Sequence, residues 1–199
     1  MLFITQPEAR PNGYVHLSSS TQWERWLRAN IPETLHREVR RRLTSNIKHL
    51  LVGLELKAAL IEPHQNRAPG ERPVLFEPYF QNLILEFCVG AFSVLEGLGS
   101  AYYLAKIGQD GIDGPRIRRE DWLEALAAVY DENGDQGLKA AVETTLMVRD
   151  KLHQDRLGVR EDIDWHALSY EGAFSPARQA IQTLLRREAD AVPEASNLH

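Results

Sequence analysis

The stretch from Pro78 to Gly108 constrains the fold of this chain more than any other. Phe80, Ile84, Phe87, Ala91, Val94, Leu98 and Tyr102 recur at spacings of three and four, and Leu85, Val89, Phe92 and Tyr103 form a second apolar stripe on roughly the opposite side. A helix that is apolar on two sides has to be covered by more than one neighbour. The pattern predicts one helix over residues 78–108, about 45 Å long at about 1.5 Å per residue. The run is long enough to suggest a membrane span. Glu86 and Glu96 lie within it, however, and carboxylates are expensive in lipid. The helix is therefore read as buried in protein, with no membrane partner.

Other elements fall around this central helix. Residues 1–19 carry Pro, Gly and Ser without a helical period and suit a short strand or an extended arm. Thr21 and Glu24 make a capping-box pattern ahead of a short helix. Pro32 suits the first turn of a long helix that continues through Leu35, Val39, Leu43, Ile47, Leu50 and Leu54 to about Ile61. The segment "EPHQNRAPGERPVLFEP" holds four prolines and breaks it. "GQDGIDGP" is a turn, "RREDWLEALAAVY" a second short helix and "DENGDQG" a further turn, with Asp135 placed to cap the helix after it. Ser175 and Pro176 are good N-cap and first-turn residues for a last helix. The expected fold is all-α, an up-down bundle of four main helices plus two short ones. Residues 1–31 form an arm and short helix, 32–190 the bundle, and 191–199 a frayed tail.

Composition narrows the function. A net charge of −5 over 199 residues excludes a protein whose whole surface grips nucleic acid, while leaving room for a local basic patch. The single cysteine, Cys88, lies in an apolar run and suits a reducing compartment. The start, "MLFITQPEARPNG", has no basic segment ahead of an apolar core, so a cytoplasmic location is expected.

The stretch "TTLMVRDKLHQDRLG" carries the chemistry of most interest. With Leu138 set at zero, Val142 falls at about 40°, Arg149 at about 20° and His153 at about 60° around the helix. Arg149 thus sits on the apolar stripe and needs an anion or water. One reading is structural: Arg149 reaches past the end of the core to solvent, or pairs with Glu96 or Glu86 of the central helix. The other is functional. A guanidinium holds a phosphate in bidentate fashion, and a histidine beside it moves a proton near neutral pH. Together they suit RNA cleavage by attack of the RNA's own 2′-OH, with no metal or cofactor.

"MVRDKLHQD" resembles the signature of the HEPN families, bacterial and archaeal four-helix-bundle proteins found among toxin–antitoxin and defence ribonucleases. Their motif is an Arg, commonly followed by Asn, Asp or His, then a His after four to six intervening residues. Arg149 and Asp150 match its start, and His153 follows after three. The resemblance in arrangement spans roughly residues 32–190. It implies a homodimer with Arg149 as phosphate ligand, His153 as general acid/base and Asp150 as orienting group. It further implies an RNA substrate, an antitoxin protein as partner, and either a metal-independent endoribonuclease or a degenerate relative that binds RNA or nucleotides. The competing expectation is a non-catalytic interaction module in which Arg149 and His153 are structural.

Further patterns are weaker. Glu33 with His36, and Asp150 with His153, are carboxylate–histidine pairs that invite a di-metal bundle. In an up-down bundle, though, the two histidines fall at opposite ends, so no metal is assigned. The segment from Asp131 starts like a calcium loop, but Gln136 and Val142 stand where Gly and Glu are needed. "HREVRRRL" is basic, and either contacts RNA phosphates or forms a solvated face. Gly90, Ser93, Gly97 and Ser100 form a small-residue stripe that suits either close packing within the chain or a two-fold helix pair across a dimer.

Overall fold

The structure is a computed structural model that describes residues 3–5, 14–65, 79–130, 137–150, 165–194 and 196–198. Among the described residues six α-helices make up the fold: α1 (Ser20–Asn30), α2 (Arg37–Gln65), α3 (Tyr79–Lys106), α4 (Arg119–Tyr130), α5 (Gly137–Asp150) and α6 (Ser175–Arg186). The expected all-α bundle of four main and two short helices is what forms. The N-terminal arm contributes a small ribbon, β1 (Phe3–Thr5) paired in parallel with β2 (Tyr14–His16).

Helix α3 is the hub, packing against α2, α4, α5 and α6. On length and composition it could cross a membrane. Within the chain, its first stripe is buried at Ile84, Phe87, Ala91, Val94, Leu98 and Tyr102, and its second at Leu85 and Phe92. The first face is thus covered by this chain's own helices, while on the second Val89 and Tyr103 stay half-buried.

The small-residue stripe works inside the chain too. A Cβ at Gly90 would lie 3.1 Å from Leu54 Cδ2, and one at Gly97 would lie 3.2 Å from Leu43 Cδ1, so both glycines face α2. The closest helix approach involves a glycine outside that stripe. At Gly99 a Cβ would fall 2.6 Å from Trp122 Cε3 and 2.8 Å from the Trp122 carbonyl oxygen. Only a residue without a side chain lets α4 lie this close to α3.

Several expected boundaries move. The capping box of α1 uses Ser19 and Gln22, not Thr21 and Glu24. Ser19 Oγ accepts from the Gln22 N–H at 3.3 Å, and Gln22 Oε1 accepts from the Ser19 N–H at 2.6 Å. Both boxes fit the sequence pattern. The earlier one forms, and Glu24 pairs with two cations (below).

Helix α2 starts at Arg37, five residues after Pro32, and ends at Gln65, four after Ile61. His36 sets its start: Nδ1 accepts from the Glu38 N–H at 3.2 Å, and its own N–H donates to the Asp110 carbonyl at 2.9 Å. His36 thereby caps the start of the helix. Helix α6 is entered through a π-helical turn, Tyr170–Phe174, whose first N–H groups are capped by Ser169, not Ser175. Ser175 is already helical, and Pro176 lies in the first turn as expected.

The expectation of a frayed tail is wrong for its described part. Val192 is buried, and Leu198 is fully so. Apolar residues at these two positions give the tail a reason to stay on the core. The turn at 131–136, including the proposed cap Asp135, lies outside the described residues, as does the segment from 66 to 78.

Candidate functional site

Arg149 stands in the last turn of α5, where a cation complements the helix dipole. Its side chain is 35% exposed. The guanidinium Nη1 donates to Asp150 Oδ1 at 2.9 Å, and its carbon lies 5.3 Å from the centroid of the Phe92 ring. The expected partners are therefore corrected. Glu86 is exposed and pairs with Lys57 of α2 at 3.6 Å. Glu96 is exposed and has no ion-pair partner among the described residues. Both glutamates point away from the core, so neither is a buried charge in need of a cation. The inward-facing Arg149 is satisfied instead by its chain neighbour and by an aromatic face. His153 lies outside the described residues, so of the three proposed catalytic residues only Arg149 and Asp150 are placed, and they are placed together.

A second cluster of charge lies between α1 and the N-terminal half of α2. Here a groove of about 590 Å³ is lined by Arg28, Arg37, Arg40, Arg41 and Lys48, against the two carboxylates Glu24 and Glu33. The volume is within the usual range for ligand sites. The basic run "HREVRRRL" supplies the α2 side of this groove. The α1 side could not be read from sequence, because Arg28 and Lys48 meet only once the two helices pack.

The cations of the groove divide into engaged and open ones, and one of them, Arg41, is engaged by Glu38 just outside it. Glu24 accepts from Arg28 Nη2 at 2.5 Å and from Nε at 3.1 Å, and reaches Lys48 of α2 at 3.5 Å. These cations hold the Glu24 carboxyl below its usual range, with the Arg28 hydrogen bond as the largest cause. Glu38 accepts from both Arg41 and Arg42, at 2.7 and 3.0 Å, and the two guanidinium groups depress its pKa to about 2. Arg37 and Arg40 have no carboxylate partner among the described residues. They are the open cations of the groove.

Behind α1 lies a polar cluster that holds it in place. Tyr102 donates to the Asn30 carbonyl at 2.7 Å, and Tyr130 donates to Asn30 Oδ1 at 3.1 Å. Asn30 Nδ2 donates to the Trp26 carbonyl at 2.9 Å, and Trp26 Nε1 donates to the Arg187 carbonyl at 3.0 Å. The Arg187 guanidinium lies 5.9 Å from both tyrosine rings. At the other end of this face, buried Glu55 accepts from the Ser18 N–H at 2.9 Å and from its hydroxyl at 2.8 Å. The Trp26, Asn30, Tyr102, Tyr130, Ser18 and Glu55 groups are hydrogen-bonded to one another or to backbone, which marks the cluster as a structural fastening. Comparison of the chain with protein-family models, with curated proteins and with solved structures gives no match.

Proposed function

We propose that the protein is an RNA-binding helical bundle, a HEPN-like protein of the binding rather than the cleaving kind, and that the groove between α1 and α2 is its contact surface. One observation carries this reading: five cations face two carboxylates in a single groove of a protein whose net charge is −5. Charge gathered against the overall balance favours a local polyanion. No aromatic side chain lines the groove. Base stacking is therefore absent from it, and contacts to phosphate give affinity without sequence preference. Arg149 supports binding over cleavage, since its guanidinium is already engaged by Asp150 and Phe92.

The test is titration of the full chain with fluorescently labelled single-stranded RNA at several salt concentrations. Each phosphate neutralised contributes about −0.7 to the slope of log K against log salt. Arg37→Glu with Arg40→Glu should weaken binding at least about tenfold and flatten the slope by about 1.4. An unchanged affinity in that double variant would remove the groove from the proposal. The RNA should be recovered intact. Cleavage that disappears in His153→Ala would return the protein to the nuclease reading that its HEPN resemblance implies.

A further inference from the structure

The groove contains its own anion. Glu24 projects from α1 between Arg28 of the same helix and Lys48 of α2, and it is the one carboxylate there that joins cations of both groove walls. Glu24 Oε1 accepts from both Nε and Nη2 of Arg28, and Oε2 reaches Lys48, so its two oxygens stand where two oxygens of a phosphate would meet the same cations. We infer that Glu24 is a built-in competitor of the RNA phosphate, holding Arg28 and Lys48 so that an incoming backbone meets Arg37 and Arg40 first. This inference rests on the RNA-binding reading of the groove and adds to it a means of setting affinity.

The geometry fixes how strong the competition is. The Arg28 side chain is 73% exposed, that of Glu24 28% and that of Lys48 22%. Pairs this open to water are weak and easily exchanged. Glu24 therefore tempers binding rather than blocking it. A phosphate displaces the carboxylate when it arrives on a strand already anchored at Arg37 and Arg40. Glu33 provides an internal contrast. It lines the same groove and carries the same charge, yet has no ion-pair partner among the described residues.

The experiment compares Glu24→Gln with Glu33→Gln in the full chain, using a labelled single-stranded RNA and a salt series. Loss of one negative charge alone predicts equal effects. Release of two held cations predicts more for Glu24→Gln: a Kd about 3–10-fold lower than that of Glu33→Gln and a slope steeper by up to about 1.4. Glu24→Ala serves as a second variant, since alanine keeps the helix at least as well as glutamate does; the helical circular dichroism of each variant is checked first. Equal affinities and slopes in the Glu24 and Glu33 variants, with RNA still bound, would overturn the competitor and leave the groove as the binding surface. Failure of the wild type and of every variant to bind RNA would overturn both.

Discussion

The Arg149 guanidinium lies over the face of Phe92, and Phe92 in turn meets Trp122 edge to face at 5.8 Å. A cation at the end of α5 is thus stacked on an aromatic pair that joins α3 to α4. A ring offers an Arg on an inward face a favourable electrostatic surface without the cost of burying a carboxylate beside it.

Arg149→Ala should accordingly cost only about 0.5–2 kcal/mol. That is the sum of a cation–π contact of about 0.5–1 kcal/mol and an ion pair with about a third of the Arg exposed, worth at most about 1 kcal/mol. A buried ion pair broken on one side would cost about 3–5 kcal/mol instead. Urea unfolding followed by circular dichroism distinguishes the two, and a loss above about 3 kcal/mol would show that Arg149 has a buried anionic partner.

Gly99 and Gly53 should respond to alanine in opposite ways. At Gly99 the new methyl group would collide with the backbone and ring of Trp122, which cannot shift without moving α4. Gly99→Ala should destabilise by about 1–3 kcal/mol or more. Gly53 lies in the middle of α2, and its nearest obstacle is Lys57 Nζ at 3.8 Å, the end of a flexible side chain. Gly53→Ala should stabilise by about 0.5–1 kcal/mol through helix propensity alone. Paired thermal melts check both signs.

The tyrosine cluster should make the protein sensitive to alkali. Burial is the largest cause raising the pKa values of both Tyr102 and Tyr130 in the fold. In the unfolded chain the same groups ionise near 10.0. The folded state then binds more protons than the unfolded one above that pH, so this contribution to stability is complete below pH 10 and is lost as pH rises beyond it. Tyrosine ionisation followed at 295 nm should coincide with loss of helix. Tyr130→Phe should weaken that alkaline dependence, at a cost near neutrality of about 1–3 kcal/mol for leaving Asn30 Oδ1 short of a donor. Ionisation of Tyr130 with the helices intact would contradict the buried cluster.

How much of this was legible in the sequence depended on the range of the interaction responsible. The two stripes of α3 are periodic and local, and they gave the central helix with its bounds nearly right. Caps are local as well, yet the pattern read as Thr21 with Glu24 forms two residues earlier, at Ser19 and Gln22, while Glu24 is engaged by Arg28 and Lys48. The small-residue stripe was visible, whereas Gly99 was not, because its need comes from Trp122 on α4. For the groove, "HREVRRRL" was legible as basic. Nothing local says that Arg28 and Lys48 join it, or that Glu38 engages Arg41 and Arg42 while Arg37 and Arg40 stay open. The helical arithmetic puts Arg149 on an inward face, but periodicity carries no information on its partners, which are an adjacent residue and an aromatic ring rather than a distant carboxylate.

The hydrogen bond from Trp26 to the Arg187 carbonyl closes a loop of 161 residues. Loop closure on this scale comes late, after the local helices have formed. During synthesis, α1 and α2 leave the ribosome long before their acceptor at Arg187 exists. The wall of the groove that carries Glu24 and Arg28 gains this anchor only when α6 has been made and packed. A C-terminally shortened chain would keep α1 in place through Glu24–Lys48 and through Asn30, and would lack the Trp26 anchor. The last fastening of the α1 wall is thus supplied by the far end of the chain, although the groove is lined by residues near its beginning.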